Sequence, residues 1–249
     1  MIEKLIKKIE SAEGRSEFVI VVVCDVRGFS KFSTERESPD TAMFIKRFYL
    51  QLLTLYFTEA AFAKLTGDGL IIIYKYNEQT LGEVSDNVIT NCFKALTDYK
   101  NMFTDDPMIN FQIPQNIGFG VGRGTSCCLF SKREILDYSG QLVNLVSRLN
   151  DLARPSGIVV DGSYLQSVIP ESARDQFSAQ NVFIRGISET KPLQVFCSSE
   201  VKLSSHHLFP MDQDNWKQIE NEMTAKTVLK MSGNYSLNIP RLRSRLRHT

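Results

Sequence analysis

Residues 18–25 read FVIVVVCD. Seven consecutive apolar residues leave no polar face, so the segment is a strand covered on both sides, and the chain around it must lay elements against both faces of a sheet. The run ends on Asp25, just before Val26-Arg27-Gly28. A carboxylate at the margin of a core is costly, or takes up a proton, unless something shares its charge. Asp25 is therefore either a cap for the chain that follows or a ligand for a cation.

The rest of the chain supplies the covering elements. Ile2, Leu5, Ile6 and Ile9 recur at helical spacing among Lys and Glu, which predicts a short amphipathic helix docked on a neighbour. The Ser/Pro/Asp-rich stretch 33–40 leads to a long helix capped by Ser38 or Asp40, with Phe44, Phe48, Leu52 and Leu55 on one face. Gly67-Asp68-Gly69, between the strand-like pieces Ala61–Leu65 and Leu70–Tyr76, predicts a hairpin that carries a second acid to a strand tip. Residues 79–103 read as an amphipathic helix and 110–130 as a strand region. Its glycines 118, 120, 122 and 124 alternate along one face, so another element packs close there.

Asp137-Tyr138-Ser139-Gly140 opens a helix through Ala153. Arg154-Pro155-Ser156-Gly157 ends it before the strand GIVVDG, and Asn181–Arg185 and Pro192–Cys197 read as two further strands. Strands and helices alternate without a strict βαβ rhythm, which predicts an α+β fold with a mixed, mainly antiparallel sheet and flanking helices. The expected organisation is an N-terminal helical segment (1–17), a main domain (18–197) and a C-terminal extension (198–249). The extension holds a helix over Asp212 to Met231 and a basic tail, RLRSRLRHT, read as solvated or as a contact for an acidic partner.

Composition narrows the chemistry. The 29 basic and 28 acidic residues nearly cancel, so the overall field does not point to nucleic acid or an anionic membrane. The chain shows neither a leader nor an apolar run of spanning length, and is expected to be cytoplasmic. Its five cysteines lack metal-type spacing and read as reduced core residues. The three histidines, His206, His207 and His248, lie outside the informative region, so a histidine base is not expected. Carboxylates, amides, cations and a metal remain.

Asp25 and Asp68 each sit where an apolar strand breaks into a glycine turn. On adjacent strands the two carboxylates stand side by side and repel unless a cation joins them. Magnesium or manganese suits such a pair, because these ions take one or two carboxylates together with substrate phosphates. Asn144 and Arg148, four apart, share one face of an otherwise apolar helix. Taken singly, each of these features is also explained by a turn cap or a surface hydrogen bond.

In order, the blocks VVVCDVRGFS, AKLTGDGLIIIY, IGFGVGRG and DYSGQLVNLVSRLNDLARPSGIVV resemble the catalytic domain of class III nucleotidyl cyclases, the adenylyl and guanylyl cyclase family, over residues 18–197. The resemblance implies a ferredoxin-like fold and conversion of a ribonucleoside triphosphate to its 3′,5′-cyclic monophosphate and pyrophosphate. It implies two Mg²⁺ or Mn²⁺ ions per site, held by Asp25, Asp68 and the carbonyl of Val26, and assigns Asn144 and Arg148 to the ribose and the transferring phosphate. Lys64 and Asp137 fall on the base-reading pair. Arg185, where the family carries a lysine beside a glycine, falls on the triphosphate contact, a point charge exchanged for a planar fork. It further implies a homodimer whose two sites each draw metal acids from one chain and the remaining groups from the other.

Lys64 donates and ionised Asp137 accepts, which fits the adenine edge, a ring acceptor beside an amine. Cytosine presents the same order. A stand-alone cyclase is also similar to the small bacterial pyrimidine cyclases of anti-phage signalling, so ATP and a pyrimidine triphosphate (CTP or UTP) both remain. The alternative is a catalytically inactive cyclase-fold module that binds a nucleotide or a partner.

Overall fold

The computed structural model describes residues 2–163, 168–188, 191–204 and 207. The elements, in chain order, are α1 (Ile2–Glu10), β1 (Glu13–Arg27), α2 (Phe29–Glu35), α3 (Ser38–Gln51) continuing into a π turn (Leu52–Tyr56), β2 (Phe62–Leu65), β3 (Gly69–Lys75), α4 (Leu81–Asp98), β4 (Asn116–Ser131), β5 (Glu134–Ser139), α5 (Gln141–Leu152), β6 (Gly157–Asp161), a 3₁₀ turn (Glu171–Gln176), β7 (Phe177–Val182) and β8 (Leu193–Ser198). The expected helix over Asp212 to Met231 and the basic tail lie outside the described residues. Among those described, no helix is long and apolar enough to cross a membrane.

The strands form one eight-stranded sheet in the order β2-β3-β1-β4-β6-β8-β7, with β5 paired to β4. The β4–β6 pair is parallel and the others are antiparallel. β1 is central and covered on both sides from Val19 to Cys24, whereas Phe18, the first residue of the apolar run, stays 61% exposed. Ile20, Val22 and Cys24 face a core with Phe32 of α2, Phe44 and Phe48 of α3, and Val88, Ile89 and Cys92 of α4. Val19, Val21 and Val23 face the other way, toward Leu142, Val143 and Val146 of α5.

The alternating glycines explain how α5 reaches the sheet. A Cβ at Gly120 would stand 2.3 Å from the Val146 carbonyl oxygen and 2.5 Å from the Asn150 nitrogen, both backbone atoms. The helix therefore lies on bare β4 backbone at Gly120, and a methyl group there displaces it.

Several local expectations are corrected. Helix α3 starts at Ser38, with Glu37 as N-cap and no side-chain cap hydrogen bond; Pro39, which has no N–H to leave unsatisfied, sits in its first turn. The stretch before it includes α2, entered through Gly28 at φ 80°. Leu55 is 63% exposed, and Tyr56 is buried in its place. The cause is the π turn, in which the Phe57 N–H donates to the Leu52 carbonyl 2.9 Å away, adding one residue to the turn and rotating the apolar face by one position.

Residues 137–139 belong to β5 rather than to a helix entry; Gly140 is the N-cap of α5. The penultimate strand is Phe177–Val182, not Asn181–Arg185. Ile184, which lay in the expected strand, is instead buried after the end of β7, with Ile187 packed against the same cluster. Cys127 is exposed, whereas Cys24, Cys92, Cys128 and Cys197 are buried as expected; all five are free thiols. Helix α1 buries none of its residues. It meets the β4–β5 hairpin through its polar side, by Lys8–Glu134 at 2.5 Å and Ser11–Ser131 at 2.8 Å, so its apolar stripe is not what docks it.

The glycine face makes a stability prediction. Gly120→Ala should destabilise the protein by about 3 kcal/mol, because neither neighbouring backbone atom can yield without moving α5. Gly82→Ala, in α4 with open space around its Cβ, should raise stability by about 0.5 kcal/mol. Urea denaturation of the two variants checks both signs.

Candidate active site

The end of β1 and the tip of the β2–β3 hairpin are stitched together by backbone. Asp25 lies opposite Gly69 in the ladder, the Val26 N–H donates to the Asp68 carbonyl at 3.0 Å, and the turn closes with Thr66 N–H to Gly69 carbonyl at 3.0 Å. A Cβ at Gly69 would fall 2.0 Å from the Cys24 carbonyl, so the tip needs glycine to approach this closely. The two acids expected on adjacent strands are thus brought to one place.

The Asp25 carboxyl is held up at about 6, by burial first and by the Asp68 carboxylate next, with Arg27 acting in the opposite direction. Its Oδ2 accepts from Arg27 Nη1 at 2.8 Å. Its Oδ1 is buried without a hydrogen-bond partner. A buried, unpaired carboxylate oxygen beside a second carboxylate is a poor arrangement for an apo core and a good one for a hard cation. Among the described residues no group of three or more Asp, Glu, His or Cys side chains gathers to cage an ion. Two neighbouring carboxylates suit magnesium or manganese completed by substrate oxygens and do not suit a closed structural site.

Lys64 on β2 and Asp137 on β5 meet at 2.7 Å, both about half exposed. What positions β5 is a node that the sequence reading passed over. Glu17, largely buried, accepts from Arg15 at 2.6 Å, from Lys75 at 3.0 Å and from the Tyr138 hydroxyl, while Tyr138 packs on Phe62 with ring centroids 5.6 Å apart. The node fixes Tyr138, and with it the neighbouring Asp137.

Asn144 and Arg148 are exposed on α5, whose other side buries Leu142, Val143, Val146 and Leu149. Among the described residues, Arg148 makes a 3.5 Å contact with Asp151. Arg185 lies in an exposed turn beyond β7, at the edge of the sheet opposite β2. The chain thus assembles its candidate groups as separate sets: Asp25 with Asp68, Lys64 with Asp137, Asn144 with Arg148, and Arg185 apart. A groove of about 820 Å³ lies elsewhere, lined by Leu81, Val168, Ile169, Phe177 and Phe196.

Arg27 was also missed. It shares the Asp25 face of β1 two residues on, a period-2 relation visible in the sequence.

This topology is the fold of the class III nucleotidyl cyclase catalytic domains. The chain is similar to the adenylyl cyclase CyaB from P. aeruginosa, with a TM-score of 0.61 and 16% identity over 76% of this chain and 97% of that one. It is also similar to the guanylate cyclase domain of RhGC from Catenaria anguillulae in complex with GTP (TM-score 0.56, 15% identity, 76% of this chain and 100% of that one). A third is the catalytic core of a rhodopsin-guanylyl cyclase with converted specificity in complex with ATPαS (TM-score 0.56, 16% identity, 76% and 100%). No family model and no curated sequence matches the chain. At these identities the likeness is one of fold.

The raised Asp25 carboxyl sets a pH dependence for the metal-free protein. The folded state binds a proton more tightly than the unfolded chain, so this contribution is present at about pH 4 and is lost as pH rises through about 6. Asp25→Asn removes it. In EDTA at pH 7.5 the variant should be more stable than the wild type by about 1–2 kcal/mol, and the gap should close at pH 4. Urea melts at the two pH values give the comparison.

Proposed function

We propose that the protein is a nucleotidyl cyclase, converting a ribonucleoside triphosphate to the 3′,5′-cyclic monophosphate and pyrophosphate in a homodimer. The observation that carries this reading is the buried, unpaired Asp25 Oδ1 beside Asp68. Asp25, Asp68 and the Val26 carbonyl would hold Mg²⁺ or Mn²⁺. When bound, such an ion lowers the pKa of the ribose 3′-hydroxyl and offsets charge on the triphosphate.

The chain's own groups do the rest. Lys64 donates to a ring acceptor of the base and Asp137 accepts from the neighbouring amine, an order that adenine and cytosine both present. The Asn144 amide holds the ribose. Arg148 meets charge that grows on the phosphate as the 3′-oxygen attacks, and Arg185 adds a cation to the triphosphate. The exposure of Asn144 and Arg148, with a 3.5 Å contact holding the guanidinium among the described residues, supports their use across a subunit interface. A twofold dimer then carries two equivalent sites.

Incubation of the pure protein with ATP, GTP, CTP and UTP in turn, with Mn²⁺, should give one cyclic monophosphate and pyrophosphate by mass spectrometry. The expected substrate is ATP or a pyrimidine triphosphate. Asp25→Asn and Asp68→Asn should each lower turnover by about a thousandfold or more while keeping the fold. Absence of any cyclic product from all four substrates would refute the activity.

The dimer is tested by mixing. Asp25→Asn and Arg148→Ala, each inactive alone, should recover about a quarter of wild-type turnover when exchanged, since half of the molecules are mixed dimers and each has one intact interface. No recovery, with subunit exchange shown by tags, would place the whole site in one chain.

A further inference from the structure

Arg27 is 8% exposed and spans β1 and α5. From β1, its Nη1 donates to Asp25 Oδ2 at 2.8 Å. Its Nη2 donates to three acceptors at the end of α5: the Asn150 carbonyl at 2.5 Å, Asn150 Oδ1 at 3.0 Å and the Ala153 carbonyl at 3.1 Å. The two carbonyls belong to the last turn of α5, where the helix dipole favours a cation; that of Asn150 also accepts the Ala153 N–H at 3.0 Å. Gly118, opposite Asp25, makes room for the guanidinium; a Cβ there would stand 2.0 Å from Nη2 and 2.6 Å from the Ala153 carbonyl. A buried charge with four directed contacts has little freedom to move one contact without moving the others.

We propose that Arg27 is a positioning residue that couples Asp25 to the C-terminal turn of α5, so that cation binding at Asp25 is felt along the helix bearing Asn144 and Arg148. This rests on the cyclase reading and adds regulation to it. In the proposed dimer Asp25 serves one site while Asn144 and Arg148 of the same chain serve the other, so Arg27 links the two sites. The guanidinium takes Oδ2 and leaves Oδ1 unpartnered, which fixes the carboxylate oxygen that receives the ion. An ion drawing on Asp25 pulls on a fork whose other prong holds the last turn of α5. The fork is necessary, because an ammonium at the same place is a point donor that does not reach both elements with the same geometry.

Amide hydrogen exchange of the intact, metal-free protein, with and without Mn²⁺, tests this without using activity. In the wild type, Mn²⁺ should slow exchange at residues 24–28 and also at 150–154, the latter by at least about fivefold. Arg27→Lys keeps the buried cation and should fold; there the slowing at 24–28 should persist and that at 150–154 should vanish. Asp25→Asn should abolish both. A simple helix cap behaves differently. If Arg27→Lys speeds exchange at 150–154 equally with and without Mn²⁺, and Mn²⁺ leaves those amides unchanged in the wild type, the coupling is refuted while the metal assignment stands. If Mn²⁺ still slows 24–28 in Asp25→Asn, or slows nothing in the wild type, the metal assignment itself falls and the coupling falls with it.

Discussion

The direct contact of helix α5 with the bare backbone of β4 is the constraint on which the rest depends. Glycines at 118, 120 and 122 let Val146 and Asn150 approach where any side chain would collide. That approach brings the carbonyls at the helix end within reach of Arg27 and turns Asn144 and Arg148 outward. It also closes the face of β1 that Val19, Val21 and Val23 would otherwise expose. Glycine costs backbone entropy in a strand, and here the loss is offset by a helix packed at short range across a central sheet. The same closeness leaves no solvent to screen the Arg27 charge, so every acceptor around it has to come from the protein.

What was legible in the sequence follows from this. Features with a short period or a local turn were readable: the apolar run of β1, the Gly67-Asp68-Gly69 tip, the alternating glycines and the apolar face of α5. Each is set by residues within a few positions of one another. Features set by a one-residue choice in packing were not readable. Leu55 and Tyr56 both suit an apolar face, and only the π turn decides between them. Ile184 looks like a strand residue but buries its side chain from the segment after β7, while the true edge strand before it, FSAQNV, is half polar. Composition cannot separate a short polar edge strand from a loop, because its ladder is satisfied by one neighbour only.

Site residues divide along the same line. Asp25 and Asp68 announced themselves because an acid ending an apolar strand needs an explanation. Lys64 and Asp137 did not; they are 73 residues apart, and only the family resemblance brought them together before the structure showed their contact. Arg27 and Glu17 were readable only in part. Each shares a strand face with a residue of interest, yet a charged side chain near a strand end reads as solvated unless the opposite strand is known to carry glycine, as Gly118 does for Arg27.

The two ion pairs of the region differ in what they can do. Arg27–Asp25 is buried, and its guanidinium is tied by three further acceptors to the end of α5; it is suited to holding geometry. Lys64–Asp137 is about half exposed on both sides, and an exposed pair of this kind contributes about 0–1 kcal/mol. In the proposed role, opening it to admit a base would therefore cost little, and each partner would exchange the other for a neutral acceptor or donor in the plane of the ring. A stronger pair would hold its geometry but resist insertion; no pair at all would leave Lys64 free to sample many rotamers. A weak, pre-aligned contact at 2.7 Å sits between these limits, which is where a base-reading pair has to sit if discrimination is to come from the base and not from the energy needed to separate the readers.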